Sequence, residues 1–94
     1  MKNSVLFLIQ SPYSNLDKIW DQLEQMAQSD DHIVIMGDAT LSVPFTVSTC
    51  YPHLYCLSNE QEMLSDGDPE RIKPIDYAAF ADLVLQFERC ITLK

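Results

Sequence analysis

Apolar residues along this chain follow two rhythms. Val5-Leu6-Phe7-Leu8-Ile9 is an unbroken apolar run, the pattern of a strand covered on both faces. Ser11-Pro12 ends it, because proline lacks an N–H donor and restricts the residue before it. From Ser14 the spacing turns helical. Leu16, Ile19, Trp20, Leu23, Met26 and Ala27 form one stripe, and Asp17, Lys18, Asp21, Gln22, Glu24 and Gln25 face away from it. Ser14, with Asp17 three residues on, predicts a capping box at the helix start. Ser29-Asp30-Asp31 closes the helix. Ile33-Val34-Ile35-Met36 predicts a second buried strand, stopped by Gly37-Asp38, and Leu54-Tyr55-Cys56-Leu57 a third. Asn59 is the predicted cap of a short helical segment over 60–64.

The stretch 39–52 has no clear period. Pro44 and Pro52 oppose one long helix, and its Val, Thr and Ser content does not favour one. It predicts a short helix over 39–43 and then a loop. Ser65-Asp66-Gly67-Asp68-Pro69 is a turn by composition. Arg71-Ile72-Lys73-Pro74-Ile75 leads into a helix predicted over 77–89. Asp76 caps that helix, and Ile75 and Phe80 are spaced as a hydrophobic staple. Cys90-Ile91-Thr92-Leu93 predicts a short edge strand. Strands alternating with amphipathic helices predict an α/β fold: one small domain over 1–94, with a mostly parallel four- to five-stranded sheet flanked by helices.

Composition narrows the function classes. A 94-residue chain fits one domain. A domain this small buries a modest fraction of its surface, so association with other subunits, or with itself when isolated, is expected. The net charge is −8, with only six Lys and Arg. Nucleic-acid binding needs a cationic surface that displaces counterions from phosphates, so no direct nucleic-acid contact is expected. No apolar run approaches the roughly 20 residues of a membrane span. Only Lys2 precedes the short run at Val5, so no signal peptide is expected and the predicted location is cytoplasmic. Three cysteines, an odd number, with no Cys-x-x-Cys, argue against a disulfide framework.

In an open α/β sheet, ligands and partners meet the crevice beyond the carboxyl ends of the strands. Those ends carry Gln10-Ser11-Pro12, Gly37-Asp38-Ala39-Thr40 and Leu57-Ser58-Asn59-Glu60. The crevice and interface candidates are therefore Ser11, Tyr13, Gly37, Asp38 and Asn59. Turn chemistry alone accounts for Ser11, Ser58 and Asn59. Trp20, Phe45 and Tyr51 are further aromatic candidates, with Trp20 better placed in the core stripe. Two glycines and no Gly-rich motif leave no phosphate loop, and no cofactor is expected. Cys50, His53 and Cys56, with Cys90, have residue types that bind zinc. Cys56 lies in an apolar strand, where a thiol acts as a small hydrophobe, so no metal is expected. A sulfur-transfer thiol must be exposed and stabilised as thiolate. Cys50, in the predicted loop, fits best of the three. His32 and His53 are isolated in the sequence, without Ser/His/Asp spacing.

Four segments in order carry a resemblance: Gln10-Ser11-Pro12-Tyr13, Met36-Gly37-Asp38-Ala39-Thr40, Leu54-Tyr55-Cys56-Leu57-Ser58-Asn59-Glu60, and Ile75-Asp76-Tyr77-Ala78-Ala79-Phe80. Together they resemble the TusB/DsrH family, a branch of the DsrE/F/H-like sulfur-relay proteins. The resemblance implies a DsrE/F/H-like fold and TusC/TusD-like (DsrF/DsrE-like) sister subunits. It implies a relay of persulfide sulfur toward 2-thiolation of the tRNA wobble uridine, or sulfur trafficking in sulfur oxidisers. In that family the main sulfur-carrying cysteine belongs to the TusD/DsrE partner. Some DsrH-like members carry a first-helix cysteine, where this chain has Ile19 and Trp20. The chain also has prolines after Thr40 where the family commonly has a helix, and it ends in Leu93-Lys94 without the family's common terminal tryptophan. The expectation is a structural or docking subunit rather than the sulfur carrier. The alternatives are a sulfurtransferase using Cys50, or a homo-oligomeric interaction module of unrelated function.

Overall fold

The computed structural model describes residues 5–10, 12–28, 30–41, 43, 45–63 and 72–94, with side chains for all of these except 13, 41, 45, 46, 48 and 61–63. Five strands form one sheet: β1 (Leu6–Ile9), β2 (His32–Ile35), β3 (His53–Leu57), β4 (Ile72–Ile75) and β5 (Cys90–Leu93). Their order is β4-β3-β2-β1-β5, and every neighbouring pair is parallel. The α/β expectation with four to five strands thus resolves to five, all parallel.

Among the described residues three α-helices cross between strands: α1 (Leu16–Met26), α2 (Phe45–Cys50) and α3 (Tyr77–Leu85). Alternation along the strands divides the core into two layers. On one side Phe7, Ile9, Ile33, Ile35, Leu54, Cys56 and Ile72 pack with Leu16, Ile19, Trp20 and Leu23 of α1 and Val47 of α2. On the other, Leu6, Val34, Met36, Leu57 and Ile75 pack with Leu83 of α3. The α1 stripe is as the sequence reads until its last turn, where Met26 is 48% exposed.

Several boundaries differ from the sequence expectation, each for a local reason. Ser14 does not cap α1. Residues Tyr13–Asn15 form a 3₁₀ turn in which the Asn15 N–H bonds to the Pro12 carbonyl at 3.0 Å. The cap position passes to Asn15, which makes no side-chain capping bond. The stretch read as a loop contains α2, preceded by a 3₁₀ segment at Gly37–Leu41. In sequence Pro44 immediately precedes α2 and Pro52 follows it, so the prolines bracket a short helix. A proline ahead of the first turn removes no intrahelical bond, and one past the last turn suits a stop. Residues Ser58–Met63 are 3₁₀, and Asn59 lies inside that segment rather than capping a helix from 60. The predicted turn at 65–69 lies outside the described residues.

Residues 72–75, read as a lead-in, form edge strand β4, a position that tolerates Pro74. Helix α3 begins as expected. The Asp76 carboxylate accepts the Ala79 N–H at 2.8 Å, and Ile75 and Phe80 belong to the same apolar cluster. It stops at Leu85 rather than 89. Gln86 and Phe87 fold back in tight bonds to Leu83 and Val84, and the Arg89 carbonyl must accept the Leu6 N–H for β5 to join β1. Among the described residues no helix is long and apolar enough to cross a membrane.

Candidate functional site

The crevice lies at the carboxyl ends of β1, β2 and β3. It is a cavity of about 270 Å³ lined by Gln10, Met36, Gly37, Leu57 and Glu60. The chain runs outward from β1 to β4 and returns to the far side of β1, so the topological switch point falls between β1 and β5. There the Gln10 N–H bonds to the Leu93 carbonyl at 3.0 Å. The opening is displaced from that closed junction toward β2 and β3.

Gly37 shapes the wall. Its φ is +59°, the left-handed region that glycine enters freely. This turn aims its N–H at Glu60, whose two carboxylate oxygens accept it at 3.1 and 3.0 Å. The same reversal aims the Gly37 carbonyl at the fully buried Thr40 hydroxyl, which donates at 2.6 Å. The Gln10 side-chain amide points to the Met36 sulfur at 3.9 Å. Asn59 donates from Nδ2 to the Tyr77 hydroxyl at 3.2 Å, tying the Ser58–Met63 segment to the start of α3.

Of the residues expected here, Gly37 lines the crevice and Asn59 stands beside it, exposed. Asp38 is exposed in the Gly37–Leu41 segment. Ser11 lies outside the described residues. Tyr13 sits in the turn before α1, and its side chain, like that of Phe45, lies outside the described ones. Tyr51 and Trp20 are both buried in the α1-side core and are no free anchors.

The thiols do not converge on this site. Cys56 is fully buried in the α1-side layer. Burial, and then the charge of Glu60, push its thiol above the ordinary value, so it holds its proton. Cys50 ends α2 just before β3 begins, and Cys90 opens β5, so both exposed thiols lie at the amino-terminal edge of the sheet. The crevice is at the other edge. The Cys50/His53/Cys56 series also splits, because strand alternation turns His53 to the α3 side and Cys56 to the α1 side. Among the described residues no three His, Cys, Asp or Glu side chains converge as a metal site.

Two features escaped the sequence reading. Glu60 reads there as one more polar residue, yet it holds the crevice wall. The two histidines, isolated in sequence, are partners in register across β2 and β3. Their rings stack at 4.2 Å, Tyr55 lies within hydrogen-bond distance of His32 Nδ1 at 2.9 Å, and Phe87 meets His32 edge-on. The signal was available: each histidine directly precedes an apolar strand core, so parallel pairing aligns them. This cluster fastens the segment after α3 to the sheet. Burial also raises the Tyr55 phenol above its ordinary value.

No family model, curated protein or solved structure matches the chain. The site must therefore be read from its own chemistry. It offers a small mixed cavity with an amide, a thioether and a clamped carboxylate, suited to contact with a partner group rather than to bond-making by a nucleophile.

Proposed function

We propose that this chain is a docking subunit of a sulfur-relay complex of the DsrE/F/H-like kind, supporting 2-thiouridine formation at the tRNA wobble position. Its partners are TusC/TusD-like sister subunits, and the sulfur-carrying thiol is theirs. The observation that carries the non-carrier role is the separation of thiols from crevice. The crevice wall presents Glu60, whose negative charge repels a thiolate or persulfide anion, and the nearest buried thiol, Cys56, is held protonated. The family reading rests on the four ordered segments, three of which end in described residues at the carboxyl edge of a five-stranded parallel sheet. Co-expression with the two sister subunits tests it. The expected result is one stoichiometric complex, and failure to co-purify overturns the reading.

The exposure of Cys50 favours a second reading, a sulfurtransferase acting at the amino-terminal edge. Replacing Cys50→Ser and following persulfide labelling separates the two. The docking reading requires relay activity of the assembled complex to be unchanged.

A further inference from the structure

Helix α3 has the sequence YAAFADLVL, apolar around most of its circumference. Such a helix is normally covered on all sides, yet Leu83 is its one buried residue. Phe80 and Val84 lean on the sheet, half-buried. Tyr77, Ala81 and Leu85 fall at i, i+4 and i+8 with Ala78 beside them, and all four are exposed. Tyr77 is 62% exposed and Leu85 82%. The Asn59 amide already holds the Tyr77 hydroxyl, so this ring is oriented before any contact forms. The charges bordering the strip are acidic: Asp76 at the cap, Asp82 along one side and Glu88 past the end, all exposed. Lys73 on edge strand β4 is a described cation on this side of the sheet, while Arg89 lines a cavity with Val5, Phe7 and Ile91 of the α1-side layer.

We propose that the Tyr77–Ala81–Leu85 strip docks a different protein chain, whose contact face is apolar and ringed by Lys and Arg. Charge complementarity selects that occupant over a second copy. A second copy would bring Asp76, Asp82 and Glu88 against their own kind, with a net −8 on each side, and like charges facing each other disfavour an interface. A basic rim turns the same groups into attraction. A nine-residue helix supplies less than the roughly 800 Å² that each partner contributes to a standard interface. The partner therefore reaches past the helix to Asn59 and the crevice rim, which Tyr77 touches.

The strip stands on its own observations and does not depend on the sulfur-relay reading. The test uses the full chain, isotopically labelled, and two synthetic helical peptides with the same Leu/Ala strip, one flanked by lysines and one by glutamates. The expected result is amide shifts confined to α3 and the Asn59 region. The lysine peptide should bind at least tenfold more tightly than the glutamate peptide, and Tyr77→Ser and Leu85→Gln should each weaken it severalfold. Both positions are exposed, and unchanged spectra elsewhere verify folding. Shifts scattered over the acidic surface overturn the proposal. So does equal binding by the variants, or a wild-type dimer that Leu85→Gln dissociates, which would identify a second copy as the occupant. Failure to co-purify with sister subunits would sink the relay reading and leave this strip standing, while failure with the peptides would do the reverse.

Discussion

Replacing Gly37→Ala tests the turn that builds the crevice wall. At φ +59° a β-carbon added to Gly37 meets nothing within 4 Å, so no packing clash enters the cost. What remains is backbone strain. The left-handed conformation costs an L-residue about 1–2 kcal/mol. Alanine also narrows the unfolded ensemble, which returns about 0.4–1 kcal/mol. The net expectation is a destabilisation of about 1 kcal/mol, or a fall of about 4–8 °C in Tm for a domain of this size. Asparagine tolerates this region better, so Gly37→Asn should lose less than Gly37→Ala. Urea titration followed by the buried Trp20 gives the free energies directly. An alanine variant as stable as the parent, or an asparagine variant less stable than the alanine one, would refute the left-handed turn and the clamp that depends on it.

Glu60→Ala should cost about 1 kcal/mol by leaving the Gly37 N–H unpaired. In the native state Cys50 and Cys90 should react promptly with a disulfide reagent and Cys56 only on unfolding, so three prompt thiols would contradict its burial. Burial pushes the pKa values of Cys56, Tyr51 and Tyr55 above their ordinary values, so each is a weaker acid in the folded chain. The folded state keeps these protons when the unfolded chain releases them, so the contribution of these three groups to stability is constant below pH about 9 and falls as pH rises above it. Unfolding free energies measured across that window check the sign, and a rise would contradict it. Asp76→Ala should cost about 1 kcal/mol through loss of the α3 cap, seen as a lower urea midpoint.

Much of the fold was legible where one local rule dominated. Unbroken apolar runs gave β1, β2 and β3, and the Ile75–Asp76–Phe80 arrangement gave the start of α3, because cap and staple are sequence-local devices. Legibility failed where non-local pairing decided the outcome. Residues 72–75 look like a linker, since Lys73 and Pro74 break the apolar pattern. Only pairing with β3 at a sheet edge makes them a strand. Helix α3 could have run further by periodicity, but Arg89 is needed beside Leu6. Prolines misled at α2 because their meaning depends on which side of a helix they fall. The crevice was legible as strand ends, while the Glu60–Gly37 clamp and the His32–His53 stack needed the register of parallel strands.

The role proposed for this chain is docking to sulfur-relay partners without carrying the sulfur. Mass measurement of each intact subunit, after sulfur loading of the co-expressed complex, tests it most directly. The expected result is a persulfide on a partner subunit and an unmodified mass for this chain. A persulfide on Cys50 of this chain, or this chain eluting apart from the others, would contradict it.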